Sequence, residues 1–96
     1  MSKDSAAALR QRVTIVNRRG LHARASAKFC AVAGSFEADV LVAKDGFEVG
    51  GCSIMGLLTL GAGEGAEIEL AASGPQAAEA LDTLVKLVRD RFGESE

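Results

Sequence analysis

The sequence predicts an α+β domain of βαββαβα order. The expected form is an open-faced β-sandwich, a four-stranded antiparallel sheet covered on one face by three helices. Three observations carry this. Four short segments alternate apolar and polar residues with a period of two. Three other segments carry apolar residues at helical spacing. Glycine-bearing turn signals fall at most of the joins between them. One-sided strands need cover on one face only, and the helical stripes supply it.

The first nine residues, Met1 to Leu9, are polar and Ala-rich and are expected to form a flexible tail, so the domain is placed at residues 10–96. The first strand is expected over Arg10 to Asn17, with Val13 and Ile15 on its buried face. Arg18-Arg19-Gly20 breaks the alternation. A helix follows from Ala23 to Ala33, its stripe made by Ala23, Ser26, Phe29, Cys30 and Ala33, with Gly34 as the C-cap residue. Phe36 to Ala43 alternates again and turns through Lys44-Asp45-Gly46 into a short return strand, Phe47 to Gly50. Ser53 is a good N-cap for a short helix reaching about Leu60. After the glycine-rich turn Gly61 to Gly65 comes a fourth strand, Ala66 to Ala72. Ser73-Gly74-Pro75 then starts the last helix, expected over Pro75 to Phe92 and closed by Gly93. Its stripe is Ala77, Leu81, Leu84, Val85, Val88 and Phe92.

Composition excludes several functions. The chain has 96 residues, 48% of them hydrophobic and 25% charged, which suits one ordinary globular domain. There is no Trp or Tyr, and only four Phe, too few for a base-stacking module. A net charge of −2 argues against binding a phosphate backbone, so no nucleic-acid partner is expected. Cys30 and Cys52 do not form a CxxC motif. With a single histidine they are too few for a structural zinc site, and both are expected as buried free thiols. No metal or cofactor is expected. No signal-peptide core and no membrane-length apolar run is visible, which points to the cytoplasm and away from membranes.

The chemistry is placed on Asn17 to Ser26, which holds the only histidine of the chain. His22 stands where a strand stops and a helix starts. Imidazole is largely neutral and nucleophilic near pH 7. Unpaired N–H groups of Ala23, Arg24 and Ala25 at the helix start favour an anion beside it. Arg24 offers a guanidinium fork for phosphoryl oxygens, which Lys cannot supply. Ala23, Ala25 and Ala27 leave room for a partner. A histidine beside a glycine at a helix start can also be no more than a solvated cap. Here no second histidine, paired carboxylate or metal cluster competes with it in the sequence.

Gly20-Leu21-His22-Ala23-Arg24, taken with the element order, resembles the histidine phosphocarrier (HPr) family of the bacterial phosphoenolpyruvate-dependent phosphotransferase system. The resemblance runs from about Arg12 to Glu94. A second block, Gly51-Cys52-Ser53-Ile54-Met55-Gly56-Leu57-Leu58-Thr59-Leu60-Gly61, is similar to the family's second-helix motif. The resemblance implies a carrier without turnover of its own. His22 would accept a phosphoryl group on Nδ1 from Enzyme I and pass it to an Enzyme IIA domain, with Arg24 stabilising the phosphate. It implies that Ser53 is a regulatory phosphorylation site for a Ser kinase/phosphorylase. A dianion at that helix start would sit close to where partners dock. Ala23, Ala27, Ile54, Met55 and Leu58 are then the partner contacts, and a monomer suits a histidine that must face several partners. The chain departs from the family at Ala25, where the family usually has Pro. Ala keeps an N–H that Pro would remove and loosens the turn. A nitrogen-branch regulatory carrier, acting through phosphorylation-dependent contacts, is the alternative. A phosphohydrolase or mutase is disfavoured because no second acid or base lies near His22 in sequence.

Overall fold

The computed structural model describes residues 8–96; most of the expected tail, residues 1–7, lies outside them. The elements are β1 (Leu9–Thr14), α1 (Ala23–Gly34), β2 (Asp39–Lys44), β3 (Phe47–Gly50), α2 (Ile54–Thr59), β4 (Glu67–Ser73) and α3 (Ala77–Arg89). A 3-10 turn (Arg91–Gly93) follows. The strands form one sheet of order β1-β4-β2-β3. Every neighbouring pair is antiparallel, with Val13 opposite Ile68, Val40 opposite Ala72 and Val42 opposite Val49.

The alternation sets the two faces. Val13, Val40, Val42, Ile68, Leu70 and Ala72 are buried beneath the helices. Phe29 and Ala33 from α1, Leu57 from α2, and Leu84 and Val88 from α3 close over them. At roughly 25 cal/mol per Å² of apolar surface removed from water, this single core supplies the main drive to fold. The open face carries charged residues on β1 and β4, with Leu41 and Ala71 paired beside them. Arg10 pairs with Glu69 and Arg12 with Glu67 across β1 and β4, each at 3.4 Å. Such solvated pairs add little stability.

The boundaries differ from the expected ones for physical reasons. β1 begins at Leu9, because its pairing with Ala72 on β4 draws Leu9 into the sheet. It ends at Thr14 instead of Asn17. Beyond it only Ile15 still bonds across, donating to Ala66 O at 2.8 Å. β2 begins at Asp39 and not Phe36. The amide of Glu37 donates to Gln76 Oε1 at 2.7 Å, and the amide of Gln76 donates back to Glu37 O at 2.9 Å. Residues 36–38 thus serve the start of α3 rather than the sheet. Gly34 is the last helical residue and Ser35 the C-cap, in right-handed conformation.

α2 is shorter than expected by its capping residues. The Ser53 side chain accepts from Gly56 N at 3.0 Å, which makes it the N-cap as expected. α3 is shorter too. Gln76 is its N-cap, and Arg91 and Phe92 leave the helix in left-handed conformation, with φ of 58° and 54°. Phe92 still enters the core, but from the turn. Two expectations on side chains are corrected. Ala23 is exposed, its place in the α1 core face being taken by Ala25. Cys52 is exposed and Cys30 half-buried, because the Gly51–Ser53 loop rides over α1 instead of entering the core.

Candidate functional site at the start of the first helix

The site is built on a turn that only glycine can complete. Asn17 is fully buried, and its amide nitrogen donates to Gly20 O at 2.9 Å. Gly20 has φ of +65°, and a Cβ there would stand 2.5 Å from Ala62 O and 2.7 Å from Gly63 Cα. The turn is therefore pressed backbone to backbone against the α2–β4 connection. Leu21 N donates to Ala62 O at 2.9 Å and continues that contact. Buried Ser26 ties helix to turn, its hydroxyl donating to Leu21 O at 3.2 Å.

His22 follows as the N-cap of α1, with extended backbone and no side-chain capping bond. Its carbonyl accepts the first intrahelical bond, from Ser26 N at 2.8 Å. The N–H groups of Ala23, Arg24 and Ala25 have no intrahelical acceptor, and the first turn holds no acidic residue. No acidic side chain of α1 itself offsets the positive helix end beside the imidazole.

The imidazole has a partner that sequence reasoning missed. His22 Nε2 lies 2.5 Å from Glu94 Oε2, and both side chains are 19% exposed. Asn17 Nδ2 donates to the other carboxylate oxygen at 3.0 Å. With both amide hydrogens spent on Gly20 and Glu94, Asn17 Oδ1 is left buried without a partner. The hydrogen bond from His22 holds the Glu94 carboxyl below the usual carboxylate range. Burial opposes this, and the Asn17 amide and the charges of His22 and Arg19 assist it. With the proton on Nε2, facing the carboxylate, the lone pair of a neutral ring is on Nδ1.

Glu94 reaches the site through the turn after α3. Arg91, Phe92 and Gly93 are all left-handed in φ, which reverses the chain. Buried Phe92 anchors the reversal, and Lys28 on α1 donates to Phe92 O at 3.0 Å. Two non-glycine residues in this conformation cost about 1–2 kcal/mol each, offset by the burial of Phe92. Beyond it, Arg18 pairs with Glu96. The last residues with Arg19 and Arg24 line an open hollow of about 250 Å³ next to the histidine.

The other expected site residues form a second group. Arg24 is exposed and makes no salt bridge among the described residues. Ser53 is exposed at the start of α2. Ile54, Met55 and Leu58 are 41%, 71% and 36% exposed, an unusual share for six residues of helix. Ala23 and Ala27 are exposed on α1, which packs against α2.

The chain is thus a small open-faced α+β domain with its single histidine at the start of the first helix. The comparisons with known proteins give the family. Residues 9–90 match the family model described as "PTS HPr component phosphorylation site". The chain belongs to this HPr family, whose members are phosphocarriers of the phosphotransferase system and not catalytic enzymes. It is 46% identical over 88 residues to the phosphocarrier protein HPr of Cupriavidus necator, covering 92% of this chain and 99% of that one. It is 38% identical over 87 residues to the phosphocarrier protein NPr of Shewanella violacea, covering 91% and 96%. The crystal structure of HPr-C-His from Thermoanaerobacter tengcongensis matches with a TM-score of 0.88 at 38% identity, covering 92% and 99%. No helix among the described residues is long and apolar enough to cross a membrane.

Proposed function

We propose that His22 is the phosphoryl acceptor, loaded on Nδ1 by Enzyme I and unloaded by an Enzyme IIA domain. The observation that supports this is the Nε2–Glu94 contact: with the proton held on Nε2, the Nδ1 lone pair is the nucleophile. Attack forms the Nδ1–P bond as the donor's bond to phosphorus breaks. The ring is cationic until Nε2 sheds its proton, and Glu94 is placed to stabilise that charge and to accept the proton. The free N–H groups of α1 and the Arg24 guanidinium serve the incoming phosphoryl oxygens. Ala25 supports this with an N–H that proline would lack. Residues 10–96 act as one phosphocarrier domain, a cytoplasmic monomer.

The exposed side chains of Ile54, Met55 and Leu58, with Ala23 and Ala27, form the partner contact. Thioether flexibility at Met55 suits several successive partners. Ser53 is the regulatory site for a Ser kinase/phosphorylase. Its hydroxyl is exposed, and a phosphate there would bring close to two negative charges to the edge of that contact.

The test is labelling with phosphoenolpyruvate, Mg²⁺ and Enzyme I. One equivalent of acid-labile phosphate is expected, lost in His22→Ala and kept in Ser53→Ala. Absence of label on the intact protein overturns the proposal. The similarity to an NPr supports a second reading, a regulatory carrier of the nitrogen branch. Offering the labelled protein a sugar-specific and a nitrogen-branch IIA domain in parallel distinguishes the two by which one drains the label.

A further inference from the structure

The two cysteines belong to neither the acceptor site nor the hydrophobic core. Cys30 is on α1, and Cys52 lies in the loop that enters α2, 22 positions further along the chain. The fold brings them into contact. The Cys30 thiol donates to Cys52 O at 2.9 Å. The Cys52 sulfur lies 3.9 Å from where a Cβ on Gly34 would stand. Gly34 is one helical turn beyond Cys30, on the same face of α1. The Cys52 side chain is thus laid along the Cys30–Gly34 face of α1. The loop itself is fixed by Gly51, whose amide donates to Val40 O at 2.8 Å. The pair is reachable, Cys52 being exposed and Cys30 half-buried.

We propose that Cys30 and Cys52 are a reversible oxidation site, which a mild oxidant such as a hydroperoxide closes into an intrachain disulfide. Two adjacent thiols are what this reaction needs. One sulfur attacks the peroxide O–O bond, giving a sulfenic acid and releasing water or an alcohol. The second thiol attacks that sulfur, forms the S–S bond and expels water. The two thiols lose two electrons and two protons, and the hydroperoxide is reduced. A thiol reductant reverses the reaction by exchange. Burial first, and then the neighbouring Cys30 thiol, raise the Cys52 pKa. The Cys52 thiol is therefore less ready to ionise, and its reaction with peroxide quickens as pH rises. The bond would pin the loop that carries Ser53 and enters α2 onto the helix that carries His22. The exposed side chains of α2 would stay outside but on a stiffer mount.

The test starts from the fully reduced protein, treated with a small excess of hydrogen peroxide. Free thiols are then alkylated, and the intact mass is measured with and without dithiothreitol. The expected product is monomeric, has lost two hydrogens, takes up no alkylating reagent and yields a proteolytic peptide pair joined through Cys30 and Cys52. Its Tm is expected to rise on the order of 10 °C over the reduced form. Amide exchange across residues 51–60 is expected to slow. Cys30→Ser and Cys52→Ser, each at a site outside the core, are expected to lose the joined peptides and the rise in Tm together. Only intermolecular disulfides, sulfinic acid on either residue, or two alkylatable thiols after oxidation would each overturn the proposal.

Discussion

A carboxylate 72 positions away in sequence completes the histidine of this protein. On the proposed function, Glu94 holds the proton on Nε2 and leaves Nδ1 free to react. Its lowered pKa couples this contact to stability. A carboxyl depressed in the folded state stabilises above its unfolded pKa of about 4.3, and that contribution is lost as pH falls through the lowered folded value. Thermal melts of the wild type and Glu94→Gln are expected to differ at neutral pH and to converge below about pH 4. The same substitution keeps a hydrogen-bond acceptor but removes the negative charge that balances the ring. It is expected to slow phosphoryl uptake on the order of a hundredfold, measured as the initial rate of labelling. Equal rates would show that Glu94 only decorates the site. Arg24→Lys tests the guanidinium in the same assay. It keeps the charge but not the fork, and about a tenfold loss is expected with an unchanged Tm.

Two short connections do more for the site than any regular element. The first is the Asn17–Gly20 turn, locked against Ala62 and Gly63. Gly20→Ala forces a Cβ into a carbonyl oxygen and a left-handed backbone at once. It is expected to cost at least about 2 kcal/mol, read as a Tm lower by roughly 10 °C. The second is the left-handed reversal after α3. Phe92→Ala removes its anchor and is expected to cost about 3 kcal/mol, while releasing Glu94 from His22. Its labelling rate should then approach that of Glu94→Gln at a temperature where both are folded. These connections also mark where sequence reasoning stops. The strands, the helices and the helix start at His22 were legible because period, caps and the Gly-Leu-His-Ala-Arg run are local signals. Phe92 sits four positions after Val88 and so reads as the next residue of the α3 stripe. Nothing local tells that the chain reverses there instead. With the reversal hidden, Glu94 could not be placed beside His22, nor Asn17 beside Glu94. The two thiols were misread as core for a similar reason. Small apolar neighbours at Ala33 and Gly34 look the same whether a loop runs through the core or over its edge.

On the scale of the whole molecule, the sheet and helices hold two surfaces at fixed relation: a charged hollow at the start of α1, and an apolar group on α2. Met55 is the most exposed of that group, at 71%, and adds little to the core. Met55→Glu is therefore expected to leave Tm within a few degrees, since surface changes mostly fall within about 0.5 kcal/mol. On the proposed function it weakens docking, seen as a higher apparent KM for the carrier in the Enzyme I assay. The hollow beside His22 is lined by two carboxylates, Glu94 and Glu96, as well as by Arg19 and Arg24. A phosphoryl group on Nδ1 adds close to two negative charges to a space where acids and bases already balance. The arginines can hold it, yet the carboxylates keep the hollow from becoming a deep trap. On the proposed function, a relay has to let go as readily as it grasps, and mixed charge near His22 would keep the group-transfer potential of the loaded ring high enough for the cargo to move on.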